Sequence, residues 1–346
     1  MTSRMRHRRV RAVALLLPRT RRHRPARPPT APIPSDTSSE TLSWAVRRTL
    51  RSLALLACLA GPLAVAAPSA SASTRPGASA LPVTPGSRYL ALGDSVTFGY
   101  EEAQVVPAPH YADASSFVAY PEMLGAELGL KVANAACPGE TSASLINAKA
   151  QSNGCENTVS GSGVAYRQHR PHYPLHVSYK GSQLSYAVAY LRTHANVRLV
   201  SLMIGANDLF VCQATTADAC SSTAEQAATN AKVARNVRVI LSTIRHQAHY
   251  RGQLAIVNYY SLDYASAAVS ADSTRLNTSV DKAARPYGVE IADGYGELRT
   301  ASLHSGGNTC QAGLLTQLGK PGSCGVHPSY AGQALLAQAL EKAIRL

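Results

Sequence analysis

Ser95 and His327 are the two residues of this chain whose chemistry could combine into a nucleophile and its base. Ser95 ends the stretch "YLALGDS", directly after a short apolar run, and His327 lies in "CGVHPSYAGQ", before a long amphipathic segment. Acyl transfer by a serine also needs hydrogen-bond donors aimed at the developing oxyanion. Gly139 in "ANAACPGETS" and Asn207 in "SLMIGANDLF" are candidate donors. These four residues would supply the parts of an acyl-transfer site.

Each of these signals is weak when it is taken alone. A Gly-Asp-Ser cluster after a strand is also what an ordinary turn looks like. Asn207 could simply cap a turn, and His327 could simply begin the final helix. The four residues point to chemistry only if the fold brings their loops to one place.

The elements that must position them alternate between strands and helices. Apolar runs predict strands at 88–92, 131–136, 197–204, 253–260 and 289–293, and amphipathic patterns predict helices at 117–129, 182–194, 223–247, 270–288 and 329–346. Residues 138–180 are rich in Gly, Ser, Asn and Pro and predict a long irregular segment. This alternation indicates an α/β protein, a flavodoxin-like three-layer sandwich with a five-stranded parallel sheet. Ligands bind beyond the carboxyl ends of such strands, where Ser95, Gly139 and Asn207 fall.

The first 72 residues have the pattern of an export leader. Residues 1–51 hold 13 arginines and only two acids, and the uncharged run "LALLACLAGPLAVAA" follows. With the small-residue site Ala70-Ser71-Ala72, this predicts a secretory signal peptide cleaved after Ala72. The run is short and is broken by Gly61 and Pro62, which disfavours a stable membrane span.

Removal of this leader changes the charge argument. The whole chain is +14, but the residues after 51 hold 21 basic and 18 acidic side chains, a net charge of +3. The basic excess belongs to the leader and therefore gives no support to nucleic-acid binding. We expect 1–72 to be leader, 73–86 a flexible lead-in, and 87–346 a single domain that is secreted and monomeric.

Six of the seven cysteines remain once Cys58 leaves with the leader, and an even number in an exported chain indicates disulfides. They form three sequence-local pairs, so pairing of neighbours is favoured: Cys137 with Cys155, Cys212 with Cys220, and Cys310 with Cys324. The sequence contains no Cys-x-x-Cys pair, the usual sign of a zinc site. His169, His172 and His176 could be metal ligands, but their spacing fits no helical ligand pair, and a solvated loop or pocket rim is the simpler interpretation.

In these motifs the chain resembles the SGNH hydrolases, also called the GDSL esterase/lipase family. Gly93-Asp94-Ser95 matches the first block of the family, Gly139 the second, Gly205-Ala206-Asn207-Asp208 the third, and His327-Pro328 the fifth. The match runs in order over about 87–346 and is closest to the secreted branch with three disulfides. The resemblance implies Ser95 as nucleophile, His327 as base, and an oxyanion hole made by the Ser95 and Gly139 N–H groups and the Asn207 side chain. No cofactor and no metal is expected.

One position departs from the family pattern. Members usually carry Asp three residues before the catalytic His, where this chain has Cys324. The main-chain carbonyl of Cys324 is the predicted group that orients His327, as in some relatives, and the carboxylate of Asp293 is the alternative. Asp94 is interpreted as structural.

The predicted function is therefore a secreted serine esterase or lipase acting on a small-molecule or lipid ester through an acyl-enzyme. A carbohydrate O-deacetylase on the same site is the alternative within enzymes. A catalytically dead binding module is the alternative from another class, supported only by the missing Asp. Acyl chain length and the alcohol part of the substrate are not readable from the motifs.

Overall fold

A computed structural model describes residues 80–159, 163–169 and 173–346. The predicted leader and signal peptide at 1–72, the first part of the lead-in and His172 lie outside the described residues. The rest of the predicted lead-in, 80–86, is not loose: Val83 is buried, and its N–H donates to the carbonyl of Arg345 at 2.8 Å. Part of the predicted lead-in therefore packs against the last residues of the chain. In the described part of the chain, no helix is both long enough and apolar enough to cross a membrane.

Five parallel strands form the central sheet, as predicted. They are β1 (Arg88–Gly93), β2 (Lys131–Asn134), β3 (Val197–Met203), β4 (Gln253–Val257) and β5 (Val289–Ala292), in the order β2-β1-β3-β4-β5. This is the flavodoxin-like order, in which β1 and β3 lie side by side at the point where the order reverses. Nearly every side chain of β1, β3 and β4 is buried, so helices must cover both faces of the sheet.

Two groups of helices supply that cover. The first comprises α2 (Tyr120–Leu128), α8 (Gly294–Ser302) and α9 (Tyr330–Ala343). The second comprises α3 (Ser142–Ile146), α4 (Gln183–Thr193), α5 (Ala206–Thr215), α6 (Thr223–Ser242) and α7 (Ala267–Ala284). A short helix, α1 (Ser95–Phe98), follows β1 directly, and a π-helical turn, Thr243–Gln247, continues α6. Helices α1, α3, α5 and α8 were not predicted, and α3 lies within the segment 138–180 that was predicted to be irregular.

A second, two-stranded sheet was not predicted either, and it carries one of the candidate residues. Strand β6 (Leu315–Gln317) pairs antiparallel with β7 (Cys324–Pro328), so His327 lies on a strand and not in a loop. The Cys310–Cys324 disulfide joins the start of β7 to the segment before β6. The other two bridges, Cys137–Cys155 and Cys212–Cys220, also form as predicted.

Candidate active site

Ser95 is held at the end of β1 by a tight turn that only glycine allows. Gly93 has a φ of +153°, and a Cβ there would lie 2.4 Å from the Thr97 Oγ1 and 2.5 Å from the Met203 carbonyl oxygen. The buried side chain of Gln183 clamps the same glycine: its Oε1 accepts from the Gly93 N–H at 2.6 Å, and its Nε2 donates to the Gly93 carbonyl at 3.0 Å. The nucleophile turn is therefore fixed by contacts with helix α4 as well as by the sheet.

Asp94 caps the helix that Ser95 begins. Its Oδ1 accepts from the Val96 N–H at 3.1 Å, and its Oδ2 accepts from the Tyr259 hydroxyl and from the Asn207 Nδ2. Burial raises the pKa of Asp94 to about 6, although these hydrogen bonds and the charge of His327 act in the opposite direction. The carboxylate holds Ser95 and Asn207 in place, which agrees with the structural role predicted for it.

Ser95 and His327 meet across 232 positions of the sequence. The Ser95 Oγ lies 2.9 Å from the His327 Nε2. The other ring nitrogen, Nδ1, lies 2.8 Å from the Oε1 of Glu102. With Nδ1–H donating to this carboxylate, Nε2 is the acceptor for the serine hydroxyl. The three side chains have the connectivity of a nucleophile, a base and an acid that orients the base.

The predicted orienting groups are not at Nδ1, and that part of the site prediction was wrong. The ring nitrogen is hydrogen-bonded to Glu102, and in the described structure no hydrogen bond joins it to the carbonyl of Cys324. Asp293 caps helix α8, where its Oδ1 accepts from the Gly296 N–H at 2.9 Å. Glu102 comes from the loop that follows the nucleophile helix, seven residues after Ser95, so the acid arrives from another part of the chain than the family pattern suggests.

The small β6–β7 sheet binds the Glu102 carboxylate on three sides. Its Oε1 accepts from the Val326 N–H at 2.9 Å as well as from His327, and its Oε2 accepts from the Thr316 hydroxyl at 2.5 Å. Burial raises the pKa of Glu102, but the hydrogen bond and charge of His327 and the Thr316 hydroxyl outweigh it and lower the pKa to about 2. Glu102 is therefore ionised at any pH near neutral.

Gly325 provides the space that this carboxylate occupies. A Cβ on Gly325 would lie 2.0 Å from the Glu102 Oε1 and 2.2 Å from its Cδ. Real Cβ atoms do not approach so closely, so any larger residue must displace the carboxylate. A glycine at position 325 is therefore required for Glu102 to reach His327.

We expect Gly325→Ala to lower kcat by about 100-fold, because the displaced carboxylate no longer orients His327. KM and the unfolding temperature should change little, since the Glu102 side chain can swing out. The change is measured with a p-nitrophenyl ester. In a Glu102→Gln background, Gly325→Ala should cause almost no further loss of kcat, because both substitutions act on the contact between Glu102 and His327. Additive losses would mean that Gly325 acts in some other way.

The candidate oxyanion donors face the same space. Ser95, Gly139, Asn207 and His327 all line one cavity of about 340 Å³. In the described part of the chain, the N–H groups of Ser95 and Gly139 have no hydrogen-bond acceptor. Asn207 is fixed at both ends: Nδ2 donates to Asp94 at 3.3 Å, and Oδ1 accepts from the Asn153 Nδ2 at 2.9 Å. One N–H of the Asn207 amide is left for a substrate oxygen.

Two cavities meet at these residues. The aromatic cavity, the one just described, is lined on its outer side by rings: Tyr100, Tyr166, His169 and Tyr173. The apolar cavity, of about 380 Å³, lies between helices α5 and α7 and is lined by aliphatic and aromatic side chains: Leu209, Phe210, Leu262, Val269 and Leu276. Ser95, Asn207, Phe210, Val326 and His327 line both.

The histidines that could have been metal ligands have separate contacts. His169 stacks on the ring of Tyr173 at 4.5 Å between centroids, and the Nε2 of His176 lies 2.9 Å from the carbonyl oxygen of Phe98. His172 lies outside the described residues. The aromatic contacts favour the pocket-rim interpretation over the metal interpretation.

The fold is an α/β sandwich, and Ser95, His327 and Glu102 form one hydrogen-bonded line beyond the carboxyl ends of its strands. The model of the GDSL-like lipase/acylhydrolase family matches residues 91–335, and the chain belongs to this family. It is a carboxylic ester hydrolase.

Comparison with known structures gives similar folds at low sequence identity. An alpha/beta hydrolase enzyme from the metagenome of Lake Arreo, Spain, is 15% identical, with a TM-score of 0.43 over 75% of this chain and 96% of its own. An acetylxylan esterase from Geobacillus stearothermophilus is 15% identical, with a TM-score of 0.44 over 76% and 96%. A phospholipase A1 from Streptomyces albidoflavus is 17% identical, with a TM-score of 0.47 over 75% and 99%. No curated protein sequence matches the chain.

Proposed function

We propose that the protein hydrolyses carboxylic esters through an acyl-enzyme on Ser95. The observation that supports this most directly is the continuous hydrogen-bonded line from the Ser95 Oγ through His327 to Glu102, at 2.9 Å and 2.8 Å. His327 removes the proton of Ser95 as the hydroxyl attacks the ester carbonyl. The same proton then passes to the leaving alcohol, and water attacks the acyl-enzyme by the reverse route.

The oxyanion of each tetrahedral intermediate is stabilised by three donors. These are the N–H groups of Ser95 and Gly139 and the free N–H of the Asn207 amide. All three line the aromatic cavity beside the nucleophile. Their positions are set by the helix cap and by the Asp94 and Asn153 contacts, so little reorganisation is needed as charge develops on the substrate oxygen.

We expect Asn207→Ala to lower kcat by roughly 100- to 1000-fold, the usual cost of removing one oxyanion donor. Steady-state hydrolysis of a p-nitrophenyl ester measures this. Asn153→Ala is the matched control: it removes only the partner of the Asn207 oxygen and should cost less. A change confined to KM would show that Asn207 binds the substrate in its ground state and is not an oxyanion donor.

Secretion is part of the proposal. The basic leader with its apolar run and Ala-x-Ala site supports export, and so do the three disulfides, because such bridges persist in oxidising compartments. Residues 1–72 would be removed, and the mature protein would act as a monomer on esters outside the cell.

The experiment that tests the proposal is hydrolysis of p-nitrophenyl and sugar acetate esters by the purified full-length protein. Hydrolysis of p-nitrophenyl esters supports the esterase. Activity on acetylated sugars alone would favour the carbohydrate O-deacetylase. Hydrolysis of no ester would favour the catalytically dead binding module.

A further inference from the structure

We propose that the apolar cavity between α5 and α7 is the acyl site, and that the preferred substrates are esters of fatty acids and not acetate esters. The inference rests on the proposed function, because it takes Ser95 as the atom that attacks the carbonyl. An ester carbonyl at Ser95 has two substituents, the acyl chain and the alcohol. Two cavities leave Ser95, and each can take one substituent.

The polar groups of the apolar cavity are already engaged within the protein. The Tyr259 hydroxyl donates to Asp94, and the Tyr260 hydroxyl donates to the Val326 carbonyl at 2.6 Å. The Ser273 hydroxyl donates to the Tyr260 carbonyl at 2.8 Å.

At the rim, Asp272 pairs with Arg275 at 2.6 Å, and Gln213 is exposed. Away from this rim, a sugar hydroxyl beside the engaged hydroxyls of Tyr259, Tyr260 and Ser273 would lose its water without gaining a free partner, which is costly. A chain of methylenes loses nothing there and gains by leaving water.

Three of the aliphatic or aromatic side chains of this cavity are also exposed to solvent. Phe210, Leu262 and Val269 have 37–39% of their surface accessible, and all three line the same cavity, so they form one apolar patch. They line the cavity at whose inner end Ser95 lies. A bound acyl chain would cover them.

The aromatic cavity is suited to the alcohol part of the ester. Its outer wall consists of the rings of Tyr100, Tyr166, His169 and Tyr173, and Gly139 and Asn153 bring polar groups close to the nucleophile. Ring faces and polar edges together bind hydroxylated or ring-bearing alcohols better than alkyl chains. The acyl chain is therefore assigned to the apolar cavity and the alcohol part to the aromatic cavity.

The test is a series of p-nitrophenyl esters with one leaving group and acyl chains of two, four, eight and twelve carbons. We expect kcat/KM to rise from acetate to octanoate by up to about fourfold for each methylene, the value of burying one such group. A second series, acetates of alcohols of increasing chain length, should show no such rise. A flat acyl series, or a rise in the alcohol series alone, would overturn the assignment.

Variants that fill the cavity locate the effect. Val269→Trp should lower the ratio of octanoate to acetate kcat/KM by about tenfold, because the indole fills the part of the cavity that a long acyl chain needs. Leu262→Trp, from the loop before α7, should do the same and guards against misfolding of the first variant. Thr274→Trp is the matched control, since it is exposed on the same helix outside the cavity.

If both cavity variants keep the wild-type ratio, the acyl chain binds elsewhere. That result would leave the proposed ester hydrolysis intact. Hydrolysis of no ester by the wild-type protein would instead refute the proposed function itself, so the two failures are distinguishable.

Discussion

Ser95→Ala is expected to lower kcat for ester hydrolysis by about 10⁶-fold, the loss seen when the serine of such a site is removed. The Ser95 Oγ is the atom that lies 2.9 Å from the His327 Nε2, beside the cavity that the three proposed oxyanion donors line. Alanine keeps the Asp94 cap and the Gln183 clamp, because these contacts use other atoms. The fold and the unfolding temperature should therefore be those of the wild type.

An organophosphonate that mimics the tetrahedral intermediate provides a second measurement. The wild-type protein should take up one phosphonyl group, at Ser95, and the alanine variant none. Ser273→Ala is the matched control, since Ser273 lines the apolar cavity but its hydroxyl is engaged with the Tyr260 carbonyl. Full activity in Ser95→Ala, or phosphonyl transfer to another serine, would show that the nucleophile is misassigned.

The sheet and the nucleophile turn were predictable because their determinants are local. Each strand of the sheet is a short apolar run between polar turns. A parallel strand that is buried on both faces needs such a run, so it can be recognised in the sequence. Ser95, Gly139 and Asn207 each come after a strand, and the parallel topology brings the ends of these strands to one edge. The sheet order then places the Ser95 turn next to the segments that carry the other two.

The β6–β7 sheet was not predictable by the same argument. Strand β6 has three residues, Leu315–Gln317, which is too short for a period of two to be distinguished from a loop. Its stability comes from the Cys310–Cys324 bridge and from pairing with β7, which are tertiary contacts. The motif predicted His327 as the base, but it did not predict that this residue lies on a strand.

Glu102 was missed because the contact spans 225 positions and depends on the path of a loop. The two groups that the sequence offered, the Cys324 carbonyl and Asp293, belong to the histidine segment and to the end of the last strand. Two signals were available. Glu101 and Glu102 follow the nucleophile at the same edge of the sheet, and Gly325 stands where a side chain would otherwise fill the space beside His327. Neither signal could select Glu102 without coordinates.

Glu102→Gln is expected to lower kcat by about 10⁴-fold, the size of effect found when the acid of a serine–histidine–acid site becomes its amide. Glutamine has nearly the same shape, so the Thr316 hydroxyl can keep a partner, but an NH₂ group at the Oε1 position accepts from neither the Val326 N–H nor His327. The amide cannot stabilise the imidazolium by charge, and its NH₂ group favours the wrong tautomer of His327. KM should change little, because Glu102 does not line either cavity.

Glu101→Gln separates this role from simple loss of charge. Glu101 is the neighbouring acid, but the His327 Nδ1 is bonded to Glu102 and not to it, so kcat should stay close to the wild-type value.

The pH profile gives a further check. The pKa of Glu102 is lowered to about 2, below the ordinary value near 4.3 for a glutamate. The negative charge is therefore complete above about pH 4.3 and disappears only as the pH falls toward 2. The activity of the wild-type protein should therefore show no titration of Glu102 between pH 5 and 9. A loss of less than tenfold in Glu102→Gln, or an equal loss in both variants, would mean that another group orients His327 during the reaction.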